Sequence, residues 1–439
     1  MATKTFVGGV HPVYNKERTA GQSIELAKVP NVLVFPMSQH IGAPCQPLVK
    51  VGDRVLQGQK IGESEAKVCV PVHSSVSGKV IAVENRAHPR GQMGLAVVVE
   101  NDGKDEQAPP FADPRGWEEL SPAEIVHIVR EAGIAGLGGA AFPTHVKLVP
   151  PATATIDAVI LNGAECEPFL TSDHRVMVER AGQVIEGLRI ILKAVGVNKG
   201  YIGIEENKPD AILALTQEIA GDANIEVVPL KVKYPQGSEL QLIHSILGRE
   251  VPSGKLPADA GVVVNNVGTA AAIAEAVLTC RPMIQRVVTV TGSLVENPKN
   301  LLVRLGTPFR DLLEQCGLKG QPAKVINGGP MMGVTQGTLD VPVIKGVSGI
   351  VVLSEAEAAP LEPRECVRCA RCVDACPISL QPLFLAQFAE HEMWDKAKAY
   401  HALDCKECGA CSFICPSRRP LVQNIRLAKR HILAKRNNG

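Results

Sequence analysis

The chain has 439 residues, of which 45% are hydrophobic, 21% charged and only 3% aromatic, with a formal net charge of +1. That length exceeds what one core supports, so about three domains is the starting expectation, and the even charge argues against nucleic acid or any strongly charged partner. No uncharged run is long enough to span a bilayer, since even Val341 to Leu353 is interrupted by Lys345, and Met1 to Val10 holds no apolar run of the signal-peptide kind. The chain is therefore expected on the cytoplasmic side, where thiols stay reduced and available to iron.

Residues 1–117 read as a β unit and its linker. From Asn31 to Glu100 short β-branched runs alternate with Gly and Asp turns, as in Val51-Gly52-Asp53-Arg54-Val55, Gly58 to Gly62 and Ser77-Gly78-Lys79-Val80. This phrasing is similar to the barrel-sandwich hybrid of biotinyl and lipoyl domains. Lys67 is not expected to carry a prosthetic group, because its flanks lack what the modifying enzymes read. Asn101 to Trp117 is a proline-rich linker.

The second unit, 118–280, opens with an N-cap at Ser121, Pro122 at the first helical position and Glu124 three residues after the cap. Gly133 ends that helix. The loop that follows, Gly136 to Lys147, holds Gly136, Gly138 and Gly139, residues that let backbone N–H groups approach an anion. A dinucleotide fingerprint lies between a strand and a helix, whereas this loop follows a helix, so an ordinary Rossmann site is disfavoured. A buried strand from Ile156 to Leu161 leads to Glu165 and Glu167, which at a strand's carboxyl end read either as ligand contacts or as solvated loop residues. One helix is expected from Ser172 or Asp173 to Gly196. Strands near Tyr201 to Ile204, Ile225 to Leu230 and Gly261 to Asn265 then alternate with helices, which implies an α/β domain with a mostly parallel sheet.

Residues 281–354 read as a small β-grasp module, with strands Val287 to Thr291, Val341 to Ile344 and Ile350 to Leu353 and a helix at Pro308 to Gln315. The methionines of its turn, Asn327 to Gly333, are expected in the core.

Residues 355–420 carry C-x2-C-x2-C-x3-C-P twice, as Cys366, Cys369, Cys372, Cys376 and as Cys405, Cys408, Cys411, Cys415. This is the run of two-cluster ferredoxins, in which the fourth cysteine ligates the other cluster. Cys366, Cys369, Cys372 and Cys415 are thus expected on one 4Fe-4S cluster, and Cys405, Cys408, Cys411 and Cys376 on the second. A zinc site would use two pairs of ligands and leave the third and fourth cysteines unexplained. The other five of the 13 cysteines, Cys45, Cys69, Cys166, Cys280 and Cys316, read as small buried apolar residues. One helix is expected between the copies, from Pro382 to Ala402. The basic tail, 421–439, reads either as a grip for an acidic partner or anionic lipid heads, or as a solvated, fraying helix.

The motifs "GLGGAAFPTHVK", "NGAECEP", "YPQGSE" and "VVNNVGT" resemble, in this order, the flavin- and NADH-binding subunit of respiratory complex I. With "FVGGVHP", the barrel-sandwich, "NGGPMMG" and the ferredoxin tail, the whole chain resembles the C subunits of Rnf complexes, ferredoxin:NAD oxidoreductases. The resemblance implies an FMN held by Gly136, Gly138 and Gly139, with polar contacts from Asn162, Glu165, Asn265 and Asn266. It implies that Phe142 faces the nicotinamide nucleotide, with Lys147 and the acids Glu167 and Glu239 beside it. The sequence departs from the family pattern at Leu137, Ala164 and Ser238.

The implied protein is multidomain α/β, a peripheral subunit on the cytoplasmic side of the cell membrane. It would exchange hydride between NAD(H) and FMN and relay single electrons through two 4Fe-4S clusters to the other subunits, and so indirectly to ferredoxin. Two other readings are a purely iron-sulfur relay and the diaphorase of a soluble hydrogenase or formate dehydrogenase.

Overall fold

The computed structural model describes residues 3–359 and 362–437. The N-terminal β unit consists of two antiparallel sheets. One orders its strands Val32–Pro36, Gln92–Asn101, Gly78–His88 and Arg54–Val55, and the other Gln46–Pro47, Lys60–Glu63 and Val72–His73. Alternate residues face inward, so Leu33, Phe35, Val97 and Val99 join Val55, Ile61 and Val72 in one buried core.

In the α/β unit, Ser121 caps the helix Pro122–Glu131 reciprocally: Ser121 Oγ accepts from the Glu124 N–H at 3.3 Å, and the Glu124 carboxylate accepts from the Ser121 N–H at 2.8 Å. The parallel sheet orders Ile225–Leu230, Gly200–Glu205, Ala158–Gly163 and Val262–Asn266. Three strands are laid down outward from Ala158–Gly163, and the fourth joins on its other side. The order therefore reverses between Ala158–Gly163 and Val262–Asn266, and open α/β sheets bind ligands beyond the carboxyl ends at such a reversal. The single helix expected from Ser172 to Gly196 is two, Ser172–Glu179 and Ala181–Val195, broken where Arg180 takes φ −131°. The Glu179 carboxylate at that break accepts from the Ile24 N–H, a tie to a segment far away in sequence.

The third sheet has six strands, ordered Ile24–Leu26, Lys299–Arg304, Gln285–Gly292, Gly349–Leu353, Lys324–Asn327 and Val334–Thr335. Residues 24–26 thus leave the N-terminal unit and pair in parallel with Lys299–Arg304. The strand expected at Val341 to Ile344 is instead an extended segment with a single bridge between Pro342 and Pro308. Pro342 has no N–H to give a ladder, although Val341 O and the Val343 N–H still bond Phe309 and Thr307.

In the C-terminal unit the expected linker helix is also two, Pro382–Glu390 and Trp394–Ala399, separated where Glu392 takes φ 55°. The last helix, Leu421–Asn437, is not a solvated tail. It buries Ile425, Ala428 and Ile432 against Leu385, Ala389 and Ala397, and its basic residues Arg426 and Lys429 pair with Glu407.

Candidate functional site

The glycine loop is closed at its base, where the Gly136 N–H donates to Phe142 O at 2.8 Å and Ala135 bridges Pro143. It hangs over the reversal point of the sheet, anchored by the Leu137 N–H to Thr269 Oγ1 at 2.9 Å. Lys147, one short helix further on, donates to Val264 O at 2.7 Å and pairs with Glu239. At the tip, Gly138, Gly139 and Ala140 are exposed, and among the described residues their N–H groups have no acceptor. Gly139, at φ +108°, has nothing within 4 Å of where a Cβ would stand, while a Cβ on Gly138 would come 3.4 Å from Asn266. The result is an open cradle of backbone donors, the form an anion-binding loop takes.

The sheet's carboxyl end supplies the rest. Asn162 donates to Gly237 O at 2.7 Å, and Asn266 donates to Asp173 at 2.6 Å while its Oδ1 caps the helix Val267–Thr279. Asn265 is 4% exposed, and its Nδ2 makes no hydrogen bond. A buried amide left without an acceptor costs about 1–3 kcal/mol, so this donor points to a ligand. Open cradle and orphaned amide together fit a phosphate-bearing, polar ring system such as FMN.

Glu165 and Glu167 are placed differently from simple ligand contacts. The Glu165 carboxylate accepts from the Asp173 and His174 N–H groups at 2.7 and 3.0 Å, at the start of the helix Ser172–Glu179. The Glu167 carboxylate accepts from the Met331 and Met332 N–H groups at 3.1 and 2.8 Å, and burial pushes it up to about 7. Asp173 beside them is also raised to about 7, by burial and then by the Glu165 charge. The segment holds its left-handed residues, Glu165 at φ 45° and Phe169 at φ 70°, because two buried ammonium groups grip its carbonyls. Lys16 donates to the oxygens of Glu165, Glu167 and Leu170, and Lys208 to that of Ala164. Neither lysine was marked by the sequence, since each reaches the segment from a distant part of the chain. Arg90 of the barrel-sandwich is another such residue, its guanidinium touching Ala140 O at 3.5 Å.

The two cysteine copies fold alike. Positive φ recurs two and four residues after the first cysteine, at Arg368 and Ala370 and again at Glu407 and Gly409, and three residues after the fourth, at Ser379 and Arg418. Cys376, Cys405, Cys408 and Cys411 line one cavity, walled also by Ile378, Val422 and Ile425. Cys372 lies close enough to Cys415 and Cys366 for their charges to interact. Cys376 therefore sits with the first three cysteines of the second copy, and Cys415 lies near Cys366 and Cys372 of the first. The third cysteines, Cys372 and Cys411, share a small core with Ala386 and Leu421, so the two groups are neighbours. Burial pushes Cys408 up to about 11 and Cys411 to about 12. Four thiols in one apolar cavity stay protonated unless a cationic centre takes them as thiolates, which is the donor set of an iron-sulfur cubane.

Tyr234 joins the two regions. Its hydroxyl donates to Cys408 O at 2.7 Å, and it shares a buried core with Cys166, Val10, Ala375 and Ala410. Met331 packs into the same core, whereas Met332 is 48% exposed and not the core residue expected. The N-terminal "FVGGVHP" lies here too, with the Gly9 N–H donating to Ala375 O at 2.9 Å.

Family comparisons agree with this layout. Residues 4–104 match the RnfC barrel-sandwich hybrid domain, 129–275 the Nuo51 FMN-binding domain, 287–335 the SLBB domain and 357–419 the 4Fe-4S dicluster domain. The C subunit of the Na(+)-translocating ferredoxin:NAD(+) oxidoreductase complex of Acetobacterium woodii is 52% identical over 99% of this chain and 98% of its own length. The proton-translocating counterpart of Clostridium ljungdahlii is 48% identical over 97% and 93%. The C subunit of the ion-translocating oxidoreductase complex of Serratia proteamaculans is 42% identical, covering 98% of this chain and 61% of that longer protein. Among solved structures, an NAD+-reducing NiFe-hydrogenase is similar at 19% identity and a TM-score of 0.47, over 74% of this chain and 63% of that one. With near-complete coverage on both sides, the chain belongs to the family of Rnf complex C subunits.

Proposed function

We propose that this chain is the peripheral electron-transfer subunit of a membrane-bound, ion-translocating ferredoxin:NAD oxidoreductase, on the cytoplasmic side. When bound, FMN exchanges a hydride with NAD(H) and gives or takes electrons singly, and each 4Fe-4S cluster carries one electron. The backbone of Gly136, Gly138 and Gly139 would hold the phosphate, and Asn162, Asn265 and Asn266 the polar edge of the ring. Phe142, with the Lys147–Glu239 pair beside it, would form the nucleotide's side of the pocket. Glu165 and Glu167 keep the floor of the site in shape through the N–H groups they accept. The cysteines would hold the clusters in the crossed grouping, the fourth of each copy with the first three of the other.

The observation that carries this reading is that Tyr234 shares one buried core with Cys166, at the flavin end, and donates to the carbonyl of Cys408, at the cysteine cavity. Cys366 and Cys369 lie exposed, and there electrons would pass to or from the other subunits and, through them, ferredoxin. No helix among the described residues is long and apolar enough to cross a membrane, so ion movement would belong to those other subunits. A diaphorase of a soluble hydrogenase is disfavoured by the full-length likeness to Rnf C subunits.

Anaerobic purification followed by metal and flavin analysis tests the proposal. About eight irons per chain, two cubanes' worth, and one FMN are expected, with NADH-dependent reduction of an artificial acceptor. Colourless protein, or zinc with four sulfur ligands in place of iron, would sink it; iron without flavin would favour a plain relay.

A further inference from the structure

The core of the barrel-sandwich contains a cluster that neither the flavin nor the iron-sulfur reading uses. His40, Cys45 and Cys69 are each at most 2% exposed. Cys45 Sγ stands 3.5 Å from Cys69 Sγ, which stands 3.4 Å from His40 Nε2, and all three atoms lie within 4.8 Å of one another. The sequence reads both cysteines as apolar filling, and their spacing, 24 residues apart with the histidine five before the first, is no standard metal run. The fold brings them together because His40 follows the strand Val32–Pro36, Cys45 immediately precedes Gln46–Pro47, and Cys69 comes shortly before Val72–His73.

The spacing is that of a metal's ligand shell. With zinc–sulfur bonds of about 2.3 Å and a zinc–nitrogen bond of about 2.0–2.1 Å, a tetrahedral site has edges of about 3.8 Å between sulfurs and about 3.6 Å from sulfur to nitrogen. The two edges at Cys69, 3.5 and 3.4 Å, fall within a few tenths of an ångström of these and the third is at most 4.8 Å, whereas a disulfide would bring the sulfurs to about 2.05 Å. His40 Nδ1 faces Ile41 O at 3.2 Å, which places the proton on Nδ1 and leaves Nε2 the acceptor; it now accepts from the Val70 N–H at 3.3 Å with Cys69 Sγ 3.4 Å away, and a metal would take that lone pair over from the Val70 N–H. Val70 O, 3.3 Å from Cys45 Sγ and 3.7 Å from Cys69 Sγ, borders the remaining corner. The buried Lys345 ammonium lies beside the cluster, donating to Pro71 O at 2.7 Å and to Gly133 O at 2.6 Å.

We propose that His40, Cys45 and Cys69 bind one zinc ion in a buried site whose fourth corner faces Val70 O. Two thiolates and a neutral imidazole leave no net charge on the metal, which suits a dry interior. The site lies directly behind the glycine loop. The Ile41 N–H donates to Ala141 O at 3.0 Å, and Val70 packs against Ala135 and Ala141. A metal here would fasten the barrel-sandwich to the loop.

The test uses the full chain, purified without oxygen, exposed to equimolar zinc and desalted, with zinc and iron counted and the zinc X-ray absorption edge recorded. One tightly held zinc is expected, with two sulfurs at about 2.3 Å and only nitrogen or oxygen otherwise. Cys45→Ala and Cys69→Ala should lose it with iron unchanged, while Cys316→Ala, equally buried at the end of the helix Phe309–Gln315, should retain it. No retained zinc, or zinc persisting in Cys45→Ala, overturns the proposal, as does zinc surrounded by four sulfurs, which would mark an emptied cluster site. If the variants do not fold, the absorption edge of the unsubstituted protein decides. Flavin content enters none of these readouts, so failure of the flavin reading leaves the zinc count unaffected.

Discussion

The two cysteine copies have the same spacing and the same left-handed turns, yet they meet water differently. In the first, Cys366 and Cys369 are exposed, as is Val367 between them at 68%. In the second, every cysteine is at least partly covered. Tyr234 bonds the carbonyl of Cys408, Lys429 donates to that of Cys405 at 2.8 Å, and Met331 lies over Gly409. Identical cysteine spacing thus meets water in two ways, and what separates the copies is Tyr234 and Met331, far off in the chain, together with Lys429 on the helix that follows. Cluster potential responds to burial and to hydrogen bonds around the sulfurs, so the difference in cover is where a difference in role would originate.

The largest test of this contrast is Cys408→Ser. It should empty the inner group, which Cys376, Cys405 and Cys411 complete, and drop iron from about eight to about four per chain. One of two electron paramagnetic resonance signals should vanish, and NADH should still reduce a dye at the flavin while transfer to the outer cluster fails. Equal loss of both signals would refute the crossed grouping.

Gly409→Ala is the next sharpest. The first copy already carries Ala370 at the matching position with φ 61°, so alanine is compatible with the loop itself. In the second copy, however, a Cβ would stand 3.1 Å from Met331 O. Left-handed strain plus this contact should cost about 1–2 kcal/mol in chemical denaturation. Stability within about 0.5 kcal/mol of the parent would show that Met331 does not press on the inner loop.

Tyr234→Phe keeps the ring and removes only the hydroxyl. About 1 kcal/mol of stability should go with the bond to Cys408 O, which becomes a buried unpaired acceptor. Electron transfer from NADH to the outer cluster, measured by stopped flow, should slow with flavin reduction unchanged. If both steps keep their rates, the tyrosine is a strut and not part of the link.

How much of this could be read in advance follows from distance along the chain. The cysteine groups could be written down from spacing, because their ligands sit within short loops whose turns repeat. The alternation of strands and helices gave the α/β unit, but not the helix breaks at Arg180 and Glu392, where tertiary ties and a left-handed residue override a continuous apolar pattern. Pro342 hid the failure of a strand that its valines advertised. Lys16, Lys208 and Arg90 were invisible because a buried or bridging cation looks in sequence like any surface one. Cys45 and Cys69 were read correctly as buried, yet nothing in their spacing placed a histidine beside them. The basic residues of the last helix looked like a free tail, because the partner of Arg426 and Lys429, Glu407, lies on another segment.

Glu407 gives the finest probe of the contrast. It lies two residues after Cys405, its N–H donates to Cys405 Sγ at 3.4 Å, and its carboxylate accepts from Arg426 and Lys429 at 2.7 and 2.6 Å. Burial opposes its charge, but the two cations outweigh that and hold the carboxyl below the usual glutamate range. Because the folded pKa is depressed, the stabilisation is present above the unfolded value of about 4.3 and is lost as pH falls through the folded one. The pair is partly exposed, so Glu407→Gln should cost no more than about 1 kcal/mol at neutral pH and approach nothing in acid. Removing a negative charge beside the inner cluster favours its reduced form, so that potential should rise while the outer cluster's stays put. A redox titration in which both potentials moved together, or neither did, would mean that the cover around the second copy shapes its fold without setting its electron affinity.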